Sequence, residues 1–191
     1  MIERKVYYFE KPGAVNTVDC LAVVKDAIES RVFRHIVVAT TGGDTGLLFS
    51  ETFKDNRDVN LVAITHSYGF KEPNTIEITE AVAAKIRQNG AKLYTGTMIT
   101  HSIETAFASA HNGLYPTTIV AQTLRRFGEG AKVCCECVMM AVDAGLIPEN
   151  QEVVAVAGTG RGADTVTVIK SAASKRFFDL KVLEFLAKPI L

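Results

Sequence analysis

The chain has 191 residues, 48% of them hydrophobic, with 21 basic and 21 acidic side chains and a formal net charge of zero. That length favours a single domain, residues 1–191, able to bury roughly 70% of its unfolded surface. Without a polybasic run or an acidic tail, nucleic acid and anionic membrane are excluded as expected partners, and the absence of a long apolar run points to a cytoplasmic protein.

Val6 to Phe9 reads as a first strand, ended by Lys11-Pro12-Gly13. Asn16 or Thr17 then caps a helix running to about Ser30, with Leu21, Val24, Ala27 and Ile28 at core spacing. Ile36 to Ala39 is a short apolar run, suited to a strand buried on both faces. Thr40-Thr41-Gly42-Gly43-Asp44-Thr45 follows at once, and Leu47, Leu48 and Phe53 then fall on one helical face. The stretch is therefore strand, glycine-rich turn, helix. Such a turn leaves unpaired N–H groups at a helix N-terminus, with glycines permitting close approach and threonine hydroxyls adding donors. That suits a phosphate or another small anion. The turn is neither a Walker A loop nor GxGxxG, and the competing reading is an ordinary turn capped by Asp44 or Thr45.

Leu61 to Thr65 reads as strand three, opening into the polar and aromatic loop His66-Ser67-Tyr68-Gly69-Phe70. The helix carrying Ile78, Val82 and Ile86 stops at Asn89-Gly90. Lys92 to Tyr94 is strand four, followed by Thr95-Gly96-Thr97. Residues 100–146 show no convincing strand and read as two or three helices, broken at His111-Asn112-Gly113, near Pro116 and at Gly128-Glu129-Gly130. Val153 to Ala157 is strand five. Thr165 to Ile169 follows too closely for a crossover helix, so it is expected to return antiparallel. Phe178 to Leu186 is expected as a last edge strand.

Successive βα units imply a parallel sheet with helices on both faces, whose ligands sit outside the carboxyl ends of the strands. The loops 10–17, 40–46, 66–70, 95–97 and 158–164 all fall on that edge. In Gly158 to Asp164 the spacing is G-x-G-x-G before a strand, which fails as a dinucleotide fingerprint. Arg161 can still clamp a phosphate there, with the N–H groups of Gly160 and Gly162. Cys20, Cys134, Cys135 and Cys137 form no C-x-x-C and have no His at zinc spacing, so buried free thiols and no metal site are expected. His66 and His101 sit in the echoed segments Ile64-Thr65-His66-Ser67 and Ile99-Thr100-His101-Ser102. They could meet at the sheet edge near Asp44 and Glu104, where a His/Asp acid–base pair would suit general catalysis. His35 and His111 read as structural. Phe177-Phe178 and residues 116–146 would tolerate a homo-oligomer interface.

In HIVVATTGGDTGLLFSETF (35–53), NLVAITH (60–66) and VVAVAGTGRGADTVTVIK (153–170), the chain resembles the C-terminal α/β domain of pyruvate kinase, standing without the catalytic barrel. With Lys11 to Gly13 and Asn16-Thr17 forming KPG-x-x-NT, it is similar to a small group of free-standing domains of this kind. The resemblance implies a three-layer α/β/α sandwich with a mostly parallel five-stranded sheet plus additions. It implies a phosphate held by Thr40, Thr41, Gly42, Gly43 and Thr45. Asp44 departs from the pattern, because a carboxylate repels phosphate unless it caps the helix or binds a ribityl hydroxyl. No aromatic stands in the second loop, so a bisphosphate effector is not expected. The free-standing group is similar to flavin mononucleotide (FMN) binders, which need one phosphate site, polyol partners and an apolar slot. On that reading His66, Ser67, Tyr68 and Phe70 border the ligand, with Tyr68 or Phe70 stacking on the ring, and Thr95 joins the set. The expected function is binding of a small phosphorylated ligand, FMN, by a sensor or regulatory module. The alternatives are a flavin- or sugar-phosphate-dependent enzyme using His66 and His101, and a purely structural or interaction protein.

Overall fold

Strand-forming and helix-forming stretches alternate along the chain, and a computed structural model describes residues 1–190. The strands are β1 (Tyr7–Phe9), β2 (His35–Ala39), β3 (Asn60–Ile64), β4 (Lys92–Tyr94), β5 (Glu152–Ala157), β6 (Thr165–Lys170) and β7 (Lys181–Pro189). The α-helices are α1 (Thr17–Ser30), α2 (Asp44–Phe53), α3 (Glu80–Gln88), α4 (Ile103–His111), α5 (Pro116–Leu124) and α6 (Glu129–Asp143). The sheet order is β1-β7-β6-β5-β2-β3-β4. β6 runs antiparallel to β5 and β7, and every other pairing is parallel.

The expected parallel core and the strand-free stretch between β4 and β5 are both present. One expectation is corrected. The last strand does not lie at the edge: β7 is inserted between β1 and β6, and the three-residue β1 is the edge strand. It also starts later, because Ser174–Asp179 turns as a 3₁₀ helix. Once β6 has reversed, its free side carries unpaired backbone groups, and the nine-residue β7 is long enough to cover them.

Two helical layers sandwich the sheet. On one face Val24 of α1, Phe49 of α2 and Ile86 of α3 pack against Ile36, Val38, Val154 and Val156. On the other, Cys134, Val138 and Ala141 of α6 pack against Val37, Val62, Val153 and Ala155. α6 is buried from Gly130 to Val142 except at Val133, because α5 and neighbouring segments cover the side turned away from the sheet. That explains why its sequence is apolar all round. All four cysteines are free and buried. Burial pushes the Cys20 and Cys135 thiols up to about 12, which keeps them unreactive.

Helix ends follow local chemistry. Gly90 takes φ 88° just beyond α3, and Asn112 takes φ 51° after α4, as left-handed C-terminal stops. Asn16 precedes α1, but its side chain turns back, donating to the carbonyls of Lys11 (2.7 Å) and Gly13 (3.2 Å) rather than accepting from the helix.

The two glycine-bearing segments far apart in sequence are locked together. The buried Asp164 carboxylate accepts from Gly13 N–H (2.8 Å), Thr159 N–H (3.0 Å) and the Thr165 hydroxyl (2.7 Å). Thr17 Oγ1 accepts from Ala163 N–H at 2.9 Å, and a Cβ on Gly162 would lie 2.5 Å from Ala14 Cα. Replacing Asp164 by alanine strands two N–H groups and a hydroxyl, and should cost about 2 kcal/mol. Urea denaturation should show a lower midpoint with an unchanged slope.

Candidate functional site

Because β2, β3 and β5 are parallel, the chain leaves all three at the same edge of the sheet. α2 begins there from one helical layer and α6 from the other. Between them lies a cavity of about 680 Å³, within the range of small-ligand sites.

The wall on the α2 side is the Thr40–Thr45 turn. Thr40 N–H still bonds into the sheet, to Ile64 O at 2.8 Å, and its hydroxyl accepts from Gly46 N–H at 3.0 Å. The helix cap is therefore Thr40, with Gly43 at the N-cap position, and neither Asp44 nor Thr45 fills that role. Gly43 is at φ 101°, and a Cβ on it would lie 2.4 Å from Val82 Cγ1. The positive φ and the packing of α2 on α3 both require glycine at this position. A Cβ on Gly42 would meet nothing within 4 Å. Among the described residues, the N–H groups of Thr41, Gly42, Gly43, Asp44 and Thr45 make no hydrogen bond to protein. The Thr45 hydroxyl has no partner either, although the residue is only 6% exposed and lines the cavity.

Gly160, Arg161 and Gly162 also line the cavity, and Arg161 is exposed and in no ion pair among the described residues. His66 and Phe70 line it from the loop after β3. His66 Nδ1 lies 2.9 Å from Glu77 Oε1, and Nε2 lies 3.4 Å from Thr41 Oγ1. Facing the Glu77 carboxylate, Nδ1 is the donor of that pair, which leaves Nε2 turned toward Thr41. Burial pushes the Glu77 carboxyl up, but the bond from His66, a backbone contact and Lys71 outweigh it and hold the group below its ordinary range.

Other expectations about this edge are corrected. Phe70 contacts both His66 (ring centroids 4.1 Å apart) and His101 (5.5 Å), so the two imidazoles flank its ring and form no pair. Glu104 is not their partner, since it accepts from Thr117 N–H and its hydroxyl. Gly43, Ser67, Tyr68 and Thr95 do not line the cavity. Tyr68 is 66% exposed, and Thr95 Oγ1 is tied to Thr65 Oγ1 at 2.6 Å. A loop side chain's direction depends on local turns, here Phe70 N–H to Ser67 O and Gly69 N–H to Thr75 O, which turn Phe70 inward and leave Tyr68 outside. No group of three or more His, Cys, Asp or Glu side chains among the described residues is placed to hold a metal ion.

The α6 wall was not foreseen. Lys132 is 2% exposed, and its Nζ donates to Glu136 Oε2 at 2.5 Å. Glu136 Oε1 accepts from Thr100 N–H and Thr100 Oγ1, both at 2.7 Å. Burial raises the Glu136 carboxyl, yet Lys132 and Thr100 together hold it below its ordinary range. His101 is pushed below its ordinary 6.5, first by burial and then by Lys132. A signal existed: Lys132 and Glu136 are an i,i+4 pair of opposite charges inside the apolar run Val133 to Met140 and its flank, where an exposed ion pair has no place.

Lys132→Met strands a buried carboxylate and should cost about 3–5 kcal/mol in chemical denaturation. Lys132→Met with Glu136→Gln keeps an acceptor for Thr100 and should recover most of that loss. A second prediction concerns pH. His35 and His101 both titrate below 6.5 in the folded state. The unfolded chain therefore binds more protons just beneath that value, and stability falls as pH drops from 7 through about 6. Denaturation midpoints at several pH values should show the slope, and His101→Gln should flatten it.

Among solved structures, the chain is similar to the crystal structure of O-ureido-L-serine synthase, at 19% identity and a TM-score of 0.32, covering 75% of this chain and 51% of that one. It is also similar to the O-ureido-L-serine-bound form of a lysine-to-alanine mutant of that enzyme, at 18% identity and a TM-score of 0.32, covering 84% and 57%. The chain thus spans little more than half the length of these enzymes, and likenesses so weak bear on neither fold nor function. The family described as pyruvate kinase, alpha/beta domain, matches residues 19–169, from the third residue of α1 to the penultimate residue of β6. The chain belongs to the pyruvate kinase alpha/beta domain family.

Proposed function

We propose that the protein binds a small phosphorylated ligand, FMN in our reading, in the cavity at the carboxyl edge of the sheet, as a sensor or regulatory module. One observation carries this: the N–H groups of Thr41, Gly42, Asp44 and Thr45, residues that line the cavity, and the Thr45 hydroxyl lack protein partners at the start of α2. Unpaired Arg161 lines the same cavity. A phosphate accepts from such donors, and the helix dipole favours its charge. Phe70, with Ile64 and Met98 on the cavity wall, offers an apolar slot for a ring. Exposed Asp44 borders the site, and it is suited to a ligand hydroxyl rather than to the phosphate.

A second reading is favoured by the His66–Glu77 pair. Glu77 fixes the imidazole with Nε2 beside Thr41, in reach of a group bound at the turn, which suits a general acid or base. An enzyme acting on the same phosphorylated ligand would use this pair, with His101 left to pack against Phe70.

Titration separates phosphate recognition from ring recognition. FMN should bind more tightly than riboflavin, which lacks the phosphate. Thr45→Ala should weaken FMN about tenfold, the effect of one charge-assisted hydrogen bond, while riboflavin affinity stays the same. Equal affinity for the two flavins would overturn the assignment of the phosphate to this turn.

A further inference from the structure

An ammonium has three N–H donors, and the Lys132 ammonium uses one, toward Glu136 Oε2. No second protein acceptor reaches Nζ among the described residues, although the side chain is 2% exposed. Leaving donors of a buried charge unmet is costly. Glu136 Oε2 takes one Lys132 donor, and Oε1 takes both donors of Thr100. Lys132 lines the cavity, so acceptors for its two remaining donors have to come from what fills that space.

The chemistry of the acceptor follows from the charge balance. Lys132 is neutralised by Glu136, and Arg125 on the same wall is neutralised by Glu129 at 2.7 Å. This end of the cavity therefore offers donors without net positive charge, flanked by apolar Met98 and Val133. A second phosphate or a carboxylate would meet Glu129 and Glu136 with no free cation to offset them. A neutral carbonyl oxygen meets no such repulsion and accepts a charge-assisted bond. The α2 end differs, since its donors are uncommitted N–H groups and unpaired Arg161.

We infer that the Lys132 end of the cavity is a subsite for a neutral carbonyl oxygen on the ligand's ring, of the amide or imide class, with Nζ donating to it and Glu136 holding Nζ in place. The subsite deepens the proposed function, because it shares that cavity and places the ring end of the ligand opposite its phosphate.

The test uses the full chain and four probes: lumichrome (a flavin ring without side chain or phosphate), riboflavin, FMN and inorganic phosphate. Each is titrated into wild type, Thr45→Ala and Lys132→Met/Glu136→Gln by fluorescence or thermal shift. The double variant should weaken lumichrome, riboflavin and FMN by a common factor of about tenfold and leave inorganic phosphate within twofold. As a readout that needs no folded variant, the isotope-labelled Lys132 ammonium resonance of wild type should shift on adding lumichrome and not on adding phosphate. If FMN outbinds riboflavin but the double variant holds all three rings as wild type does, or the Lys132 resonance ignores lumichrome, the subsite is wrong and the phosphate reading stands. If ring binding depends on Lys132 but FMN binds no better than riboflavin, the subsite stands and the phosphate reading fails. Wild type binding none of the four overturns both.

Discussion

A helix buried on every side has to find a partner for each polar group it carries, and α6 is such a helix. Its apolar residues close the second face of the sheet. Its two inward charges, Lys132 and Glu136, are left to one another and to Thr100. That constraint ties three things together. It fixes the segment after β4 against α6 through Glu136, places a cation at the cavity wall, and keeps His101 in a half-buried setting where its neutral form is favoured. Replacing the pair by apolar residues would suit the packing alone, so its presence beside a cavity bears on what the cavity holds.

The second organising contact is the buried Asp164 carboxylate. It joins the turn after β5 to the segment before α1, and Thr17 and Gly162 complete the junction. Part of the glycine-rich character of both segments is thereby structural: the chains approach to distances that a Cβ at Gly162 would forbid. Arg161 stands at the tip of this locked turn, so a flexible side chain is carried by a rigid support, and this part of the cavity wall is preformed.

The cavity's two ends differ in electrostatics for reasons visible in the topology. At the α2 end, a helix starts with free N–H groups because Thr40 caps only Gly46 and the N–H groups before it find no protein acceptor among the described residues. At the α6 end, each cation sits one helical turn from its own carboxylate, as in Arg125–Glu129 and Lys132–Glu136. Local i,i+4 pairing neutralises charge without removing donors. The result is one end suited to an anion and one to a neutral acceptor, with Phe70 between the two imidazoles of His66 and His101.

How much of this the sequence carried depends on the range of the interaction that decides it. The βα alternation, the strand-free stretch before β5, the antiparallel return of β6, the buried cysteines and the gathering of loops at one edge all follow from local periodicity, turn length and the rules of parallel sheets. The α2 turn was legible because glycines, threonines and a following helical face are neighbours in sequence. The place of β7 inside the sheet was not, since strand order depends on which unpaired edge remains after β6 reverses. Nor could neighbouring residues show that Gly43 faces Val82, that Tyr68 turns out while Phe70 turns in, or that His66 takes Glu77 and not His101. Each of those outcomes is a contact between segments distant along the chain or set by a loop's own hydrogen bonds. Lys132 and Glu136 lie between these cases. Their spacing and apolar surroundings announced a buried ion pair, but only the packing of α6 across the sheet brought that pair to the wall of the same cavity as the α2 turn.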